Sequence, residues 1–133
     1  MKKNIFPLIL LVLALCAAIG SLTFLSPCVH EDGSQGVCGS AGKALCAEGF
    51  LLAALALLML PFSRAGVRLG LALACACVSA TGMLLPGTVL PLCGMSAMRC
   101  RSLMQPAEMI LFGLGLLVSI LCAVREKRAM GKE

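Results

Sequence analysis

Residues 4–29 read NIFPLILLVLALCAAIGSLTFLSPCV, a run that holds no Asp, Glu, Lys or Arg. A helix crossing a bilayer needs about 20 mostly apolar residues. This run is longer than that, so it predicts a spanning helix over 5–25 followed by the beginning of a loop. Three further stretches are equally free of charge: 49–63, 69–98 and 109–124. The middle one can hold a helix and a loop. The other two reach spanning length only if their helices begin about a turn earlier, which sets Glu48 and Glu108 in the first turns of returning helices. The expected spans are therefore 5–25, 45–62, 67–87 and 106–124. Together they predict an all-α integral membrane four-helix bundle, made of two helical hairpins and forming one domain over residues 1–133.

Composition agrees with that reading. The 133 residues are 60% hydrophobic and 13% charged, whereas soluble domains are about 45–50% apolar and about 25% charged. Too little charge remains to cover a soluble surface, which argues against a disordered tail, a nucleic-acid binder and an ordinary cytosolic enzyme. Trp and Tyr are absent, so the aromatic belt that usually marks the membrane interface is reduced to Phe. Phe6, Phe24, Phe50 and Phe62 are expected near helix ends. Met1-Lys2-Lys3 ahead of an apolar run also fits a cleaved signal peptide. The length of the run, and Leu15 ahead of Cys16, favour a retained helix.

Basic residues set the orientation. Lys2, Lys3, Arg64, Arg68, Arg125, Lys127, Arg128 and Lys132 fall on one side, against Lys43, Arg99 and Arg101 on the other. By the positive-inside rule the side with eight is cytoplasmic. The prediction is a multi-pass protein of the cytoplasmic membrane with both termini cytoplasmic and the loops near 26–44 and 88–105 facing outward. The lipid bilayer is then its first partner, and the basic face needs no nucleic acid to explain it.

Small residues are the expected packing elements, because helices in lipid associate through close backbone contact. Ala72, Ala76 and Ala80 form one stripe, Gly66 and Gly70 a small-xxx-small pair, and Gly113 and Gly115 thin the last helix. Cys16, Cys75, Cys77 and Cys122 fall within the spans, where Cys packs as a small hydrophobe. Cys28, Cys38, Cys46, Cys93 and Cys100 fall in the outer loops or at their edge. An oxidising compartment makes disulfides the expectation there. Cys28, Cys38, Cys93 and Cys100 are expected to bridge, within or between loops, with Cys46 left over at the mouth of the second helix. Glu48 and Glu108 complement helix N-termini. Arg99 and Arg101 are their available partners, and such a pairing predicts that Glu108→Gln lowers stability.

The string His30-Glu31-Asp32-Gly33-Ser34 between Cys28 and Cys38 carries one half of a family resemblance. Leu85-Pro86-Gly87-Thr88-Val89-Leu90 and Cys93-Gly94-Met95-Ser96-Ala97-Met98-Arg99-Cys100-Arg101-Ser102-Leu103, running to Pro106-Ala107, carries the other. Together they resemble the bacterial and archaeal four-helix membrane proteins grouped as domain of unknown function 4418. The resemblance implies two outer loops with paired cysteines and an association with export-type ABC transporters. Gly39-Ser40 stand where members carry His-Trp.

Three functions compete. The first is a disulfide-stapled accessory or scaffold component of the cell envelope, without catalysis or cofactor, docked on a membrane partner such as an ABC-type transporter subunit. The chain has a single His, His30, so any Cys/His dyad would have to be built around it. The second is a membrane thiol–disulfide oxidoreductase passing electrons between outward-facing cysteine pairs. Cys100 between Arg99 and Arg101 has the electropositive neighbours that favour a thiolate, although no C-x-x-C occurs. The third is soft-metal binding, with Cys93, Met95, Met98 and Cys100 as thiolate and thioether donors for Cu(I), Met104 close by and His30 across the gap. Oxidation of the two cysteines would remove its best ligands, so no metal site is assigned.

Overall fold

The computed structural model describes residues 4–23, 37–89 and 100–132, and for Val37, Cys38, Cys100 and Arg101 the backbone alone. The described chain is helical: α1 over Ile5–Leu22, α2 over Val37–Leu58, α3 over Ala65–Leu84 and α4 over Gln105–Met130. A wide π-type turn, Leu85–Val89, continues α3, and a second, Cys100–Met104, leads into α4. Four segments, Ile5–Leu22, Gly39–Leu58, Ala65–Val89 and Ser102–Met130, are long and apolar enough to cross a membrane.

α1 packs most closely on α2, and α3 on α4, with α1–α4 and α2–α3 contacts closing the ring. The two hairpins thus form a four-helix bundle in which neighbours run antiparallel. Large apolar side chains such as Val12, Ile19, Leu57, Leu73, Ile110 and Leu117 point outward, while the interior holds Ala14, Ala17, Ala18, Ala53, Ala56 and Ala72 beside Leu10, Leu45, Leu52 and Phe112. Lipid tails are as apolar as Leu, so nothing drives these large side chains inward. Close packing of small ones supplies the contact instead.

Two glycines permit the closest approaches. A Cβ on Gly49 would lie 2.9 Å from both the Cβ and the backbone N of Ala18, so α2 crosses α1 at backbone distance. A Cβ on Gly82 would lie 2.5 Å from the ring of Phe112. Neither position stood out in the sequence, and part of the expected packing set is corrected here. Gly70 has nothing within 4 Å of where its Cβ would stand. In the stripe Ala72, Ala76, Ala80 only Ala72 is fully buried. The interior face of α3 is Arg68, Ala72, Cys75, Ser79 and Gly82, alternating steps of three and four as a helix facing a bundle should.

Helix boundaries differ from expectation in three places. α2 begins at Val37 rather than 45 and ends at Leu58 rather than 62. Lys43, read as a loop marker, is carried on an exposed position of the helix, while Gly39 and Gly42 on the other side are buried. Nothing in 37–44 breaks a helix, and Pro61 closes the far end. Glu48 is therefore well inside α2 and not in its first turn, and Cys46 is likewise within the helix rather than at its mouth. Phe50 also lies mid-helix, away from any interface belt. α4 continues to Met130 because Arg125, Glu126, Lys127 and Arg128 are good helix formers and no breaker precedes Gly131. At about 1.5 Å per residue its 26 residues exceed the hydrocarbon thickness of about 30 Å, so the basic last turns overhang the membrane.

α3 stops where Pro86 cannot donate a backbone N–H to the preceding turn. Pro86 (φ −73°, ψ 114°) and Gly87 (φ 91°) leave helical geometry. The positive φ of Gly87 is one that only glycine adopts without strain. The Thr88 hydroxyl donates to the Leu84 carbonyl across this break.

Candidate functional site

Among the described residues two acidic or basic side chains, Arg68 and Glu108, are buried inside the bundle, level with opposite ends of α4. Their relative height follows from the α3–α4 register, in which Gly82 meets Phe112, Ser79 meets Gly115 and Arg68 meets Glu126.

At the basic end, Arg68 is 3% exposed although it sits in the first turn of α3. Its Nε stands 3.0 Å from Oε1 of Glu126 on α4, and its NH1 group donates to Oδ1 of Asn4, just ahead of α1, at 3.3 Å. One guanidinium thus ties three helices. Nearby, the Arg125 guanidinium lies 5.5 Å from the centre of the Phe6 ring, a cation–π contact between α4 and α1. Sequence reading counted Arg68 only as a topological charge and did not single out Glu126. The available signal was an Arg at the second position of the expected span 67–87, since ionisable groups at membrane depth face the bundle interior and pair there.

Towards the opposite end, Glu108 is fully buried, and among the described residues neither of its carboxyl oxygens has a hydrogen-bond partner. It lies in the first turn of α4 as expected. Carried one turn beyond Gly82 and Phe112, the register sets it opposite the break at Pro86. There Gln105 Nε2 donates to the Pro86 carbonyl at 3.4 Å. Glu48 on α2 is half-buried, and among the described residues its enclosed Oε2 has no hydrogen-bond partner. Thr81 stands beside its carboxyl, but the Thr81 hydroxyl also reaches the carbonyls of Cys77 at 3.1 Å and Val78 at 2.8 Å. Ser79 is fully buried, its hydroxyl without a partner among the described residues, while the Ser119 hydroxyl donates to the Gly115 carbonyl at 2.7 Å.

The unmet Glu108 has an energetic consequence. Burying a polar group without a partner costs about 1–3 kcal/mol, and among the described residues no partner offsets that cost for the Glu108 carboxyl. Glu108→Leu, similar in bulk, is expected to raise the unfolding free energy in detergent by about 1–3 kcal/mol. A fall on that substitution would mean that the carboxyl is held by a stabilising partner. A chain that keeps such a group at a stability cost keeps it for use, which makes Glu108 the strongest single candidate for a functional residue.

The cysteine readings fare differently. Cys28, Cys93, Arg99 and His30 lie outside the described residues, as do Met95 and Met98. The side chains of Cys38, Cys100 and Arg101 do too, so the pairing of Arg99 or Arg101 with Glu48 and Glu108 falls beyond them. Cys38 is the second residue of α2 and Cys100 opens the turn into α4. The described cysteines are free thiols: Cys75 and Cys122 buried, Cys46 half-buried, Cys16 and Cys77 exposed. Among the described residues no three His, Cys, Asp or Glu side chains converge on a possible metal position. Met104, read as an accessory thioether donor, is buried in the core.

Family comparison fits this all-helical architecture. The family described as Domain of unknown function (DUF4418) matches residues 10–125. The chain is a DUF4418 protein. That match runs from Leu10 within α1 to Arg125 within α4 and so includes part or all of each of the four helices. No curated protein matches the chain, and no solved structure does.

Proposed function

We propose that this DUF4418 protein is a non-catalytic, multi-pass accessory component of the cytoplasmic membrane that docks on a membrane partner through α1. The observation that carries the reading is a concave strip on the outward surface of α1. Cys16 and Gly20, four residues apart, lie between Val12, Leu15, Ile19 and Thr23 and line a recess of about 370 Å³. Small residues at that spacing let a second transmembrane helix approach closely. An ABC-type exporter subunit is the partner that the resemblance suggests. Both termini and the Arg64 turn face the cytoplasm in this reading, by the positive-inside rule. The outer loops are stapled by disulfides among Cys28, Cys38, Cys93 and Cys100, each contributing about 2–4 kcal/mol.

Affinity purification of the tagged chain from native membranes in mild detergent tests the docking. The expected result is a stoichiometric membrane partner with the native chain and at least tenfold less of it with Gly20→Leu, at unchanged thermal stability. Recovery of the chain alone, or equal recovery with Gly20→Leu, contradicts it.

A second reading, thiol–disulfide exchange, is favoured by one observation. Cys38 and Cys100 open the helical segments that return across the membrane, and helix starts are positions where a thiolate is stabilised. Titration against thiol buffers separates the two. Reduction potentials below about −300 mV for every bridge mark them as structural, and a higher one marks an exchanging pair.

A further inference from the structure

A groove of about 430 Å³ runs between α3 and α4 on the outward surface, lined by Leu69, Leu73 and Ala76 from one helix and by Ile120, Val124 and Lys127 from the other. We infer that this groove is a binding site for one anionic phospholipid, with an acyl chain along the apolar wall and the headgroup phosphate at Lys127.

Three observations select that occupant. The first is length. On α4 the groove runs from Ile120 to Met130, which at 1.5 Å per residue is about 15 Å. With the basic last turn of α4 standing beyond the hydrocarbon, the apolar part of this track is shorter than one leaflet, which is about half of a hydrocarbon core of about 30 Å. A partner helix crossing the membrane would need a track of the full thickness, and this one stops at Ala76 and Ile120.

The second is charge. The wall is apolar except for Lys127, which is exposed and stands where the groove reaches the basic end of the bundle. Arg64, Arg125, Arg128 and Lys132 belong to the same end. An amphiphile with an apolar chain and an anionic head complements that arrangement, because basic residues at the membrane surface attract anionic headgroups. The third is shape. Ala76 and Ala123 keep the floor low, and Met130 lines the end of the groove with a flexible thioether that adapts to an irregular chain. The site is separate from the α1 recess and does not depend on a protein partner.

Native mass spectrometry of the full chain, released from micelles holding phosphatidylglycerol and phosphatidylcholine in equal amounts, reads the site directly. The expected result is one retained phosphatidylglycerol in preference to phosphatidylcholine. Lys127→Gln is expected to cut that preference about fivefold, the effect of one basic residue at a membrane surface. Ala76→Leu, which fills the groove, is expected to remove retention of both lipids. Thermal unfolding without lipid is recorded for each variant, and unchanged midpoints assign the losses to the groove. Equal retention of the two lipids by the native chain overturns the proposal, as does undiminished preference in Lys127→Gln or a co-purified polypeptide protecting the groove.

Discussion

Replacing Arg68 by Ala is expected to lower the unfolding free energy in detergent by about 3–5 kcal/mol, the cost of breaking a buried ion pair by removing one partner. The loss follows from where the side chain stands. Arg68 and Glu126 are 4% and 12% exposed as side chains, so neither charge is fully hydrated once the other is gone. Removal also frees Asn4 and with it the start of α1. Arg68→Lys keeps the charge but not the fork that reaches Glu126 and Asn4 together, and is expected to recover only part of the loss. Glu126→Gln is expected to be the milder change, because the more exposed partner keeps more water. Unfolding in a denaturing detergent, followed by helical circular dichroism, gives the ranking Arg68→Ala, Arg68→Lys, Glu126→Gln, native. An Arg68→Ala protein as stable as the native one would show that the three helices are held together at this end by apolar packing alone.

Gly49→Leu is the second large effect. Even a Cβ at this position would stand 2.9 Å from the Ala18 backbone, and backbone cannot turn aside as a side-chain tip can. α1 and α2 would have to separate, with a cost of about 1–3 kcal/mol or more for overpacking a filled interior. Gly70→Leu is the control. With nothing within 4 Å of its Cβ, it is expected to stay within about 0.5 kcal/mol of the native protein, as surface substitutions do. Equal effects at the two glycines would contradict the α1–α2 crossing described here.

The membrane architecture was legible because absence of charge is a strong signal over twenty residues. The runs 4–29, 49–63, 69–98 and 109–124 located all four spans. Charge was a poorer guide to where helices end. Lys43 and Arg125 fall inside helices because a long side chain at a span's edge can reach the interface without interrupting the backbone. Glu48 was misplaced for the same reason: an acidic residue beside an apolar run resembles a helix start, yet α2 begins eleven residues before it. Which glycines carry contact was not legible either. Gly49, Gly66, Gly70 and Gly82 are alike as letters, and only the crossing of two helices distinguishes them. Glu108 was recognised as a boundary carboxylate, but its full burial is a tertiary relation that no local pattern encodes.

The central claim is a four-span bundle with its basic end in the cytoplasm, so that the segments after α1 and after α3 reach the outer face. Topology reporters fused in a bacterial host test this most directly. Alkaline phosphatase joined after Gln35 or after Met95 is expected to be active, and joined after Ser63 or at the C-terminus inactive, with green fluorescent protein at the C-terminus bright. The reverse pattern would contradict the orientation, and active phosphatase both after Gln35 and at the C-terminus would contradict the span count.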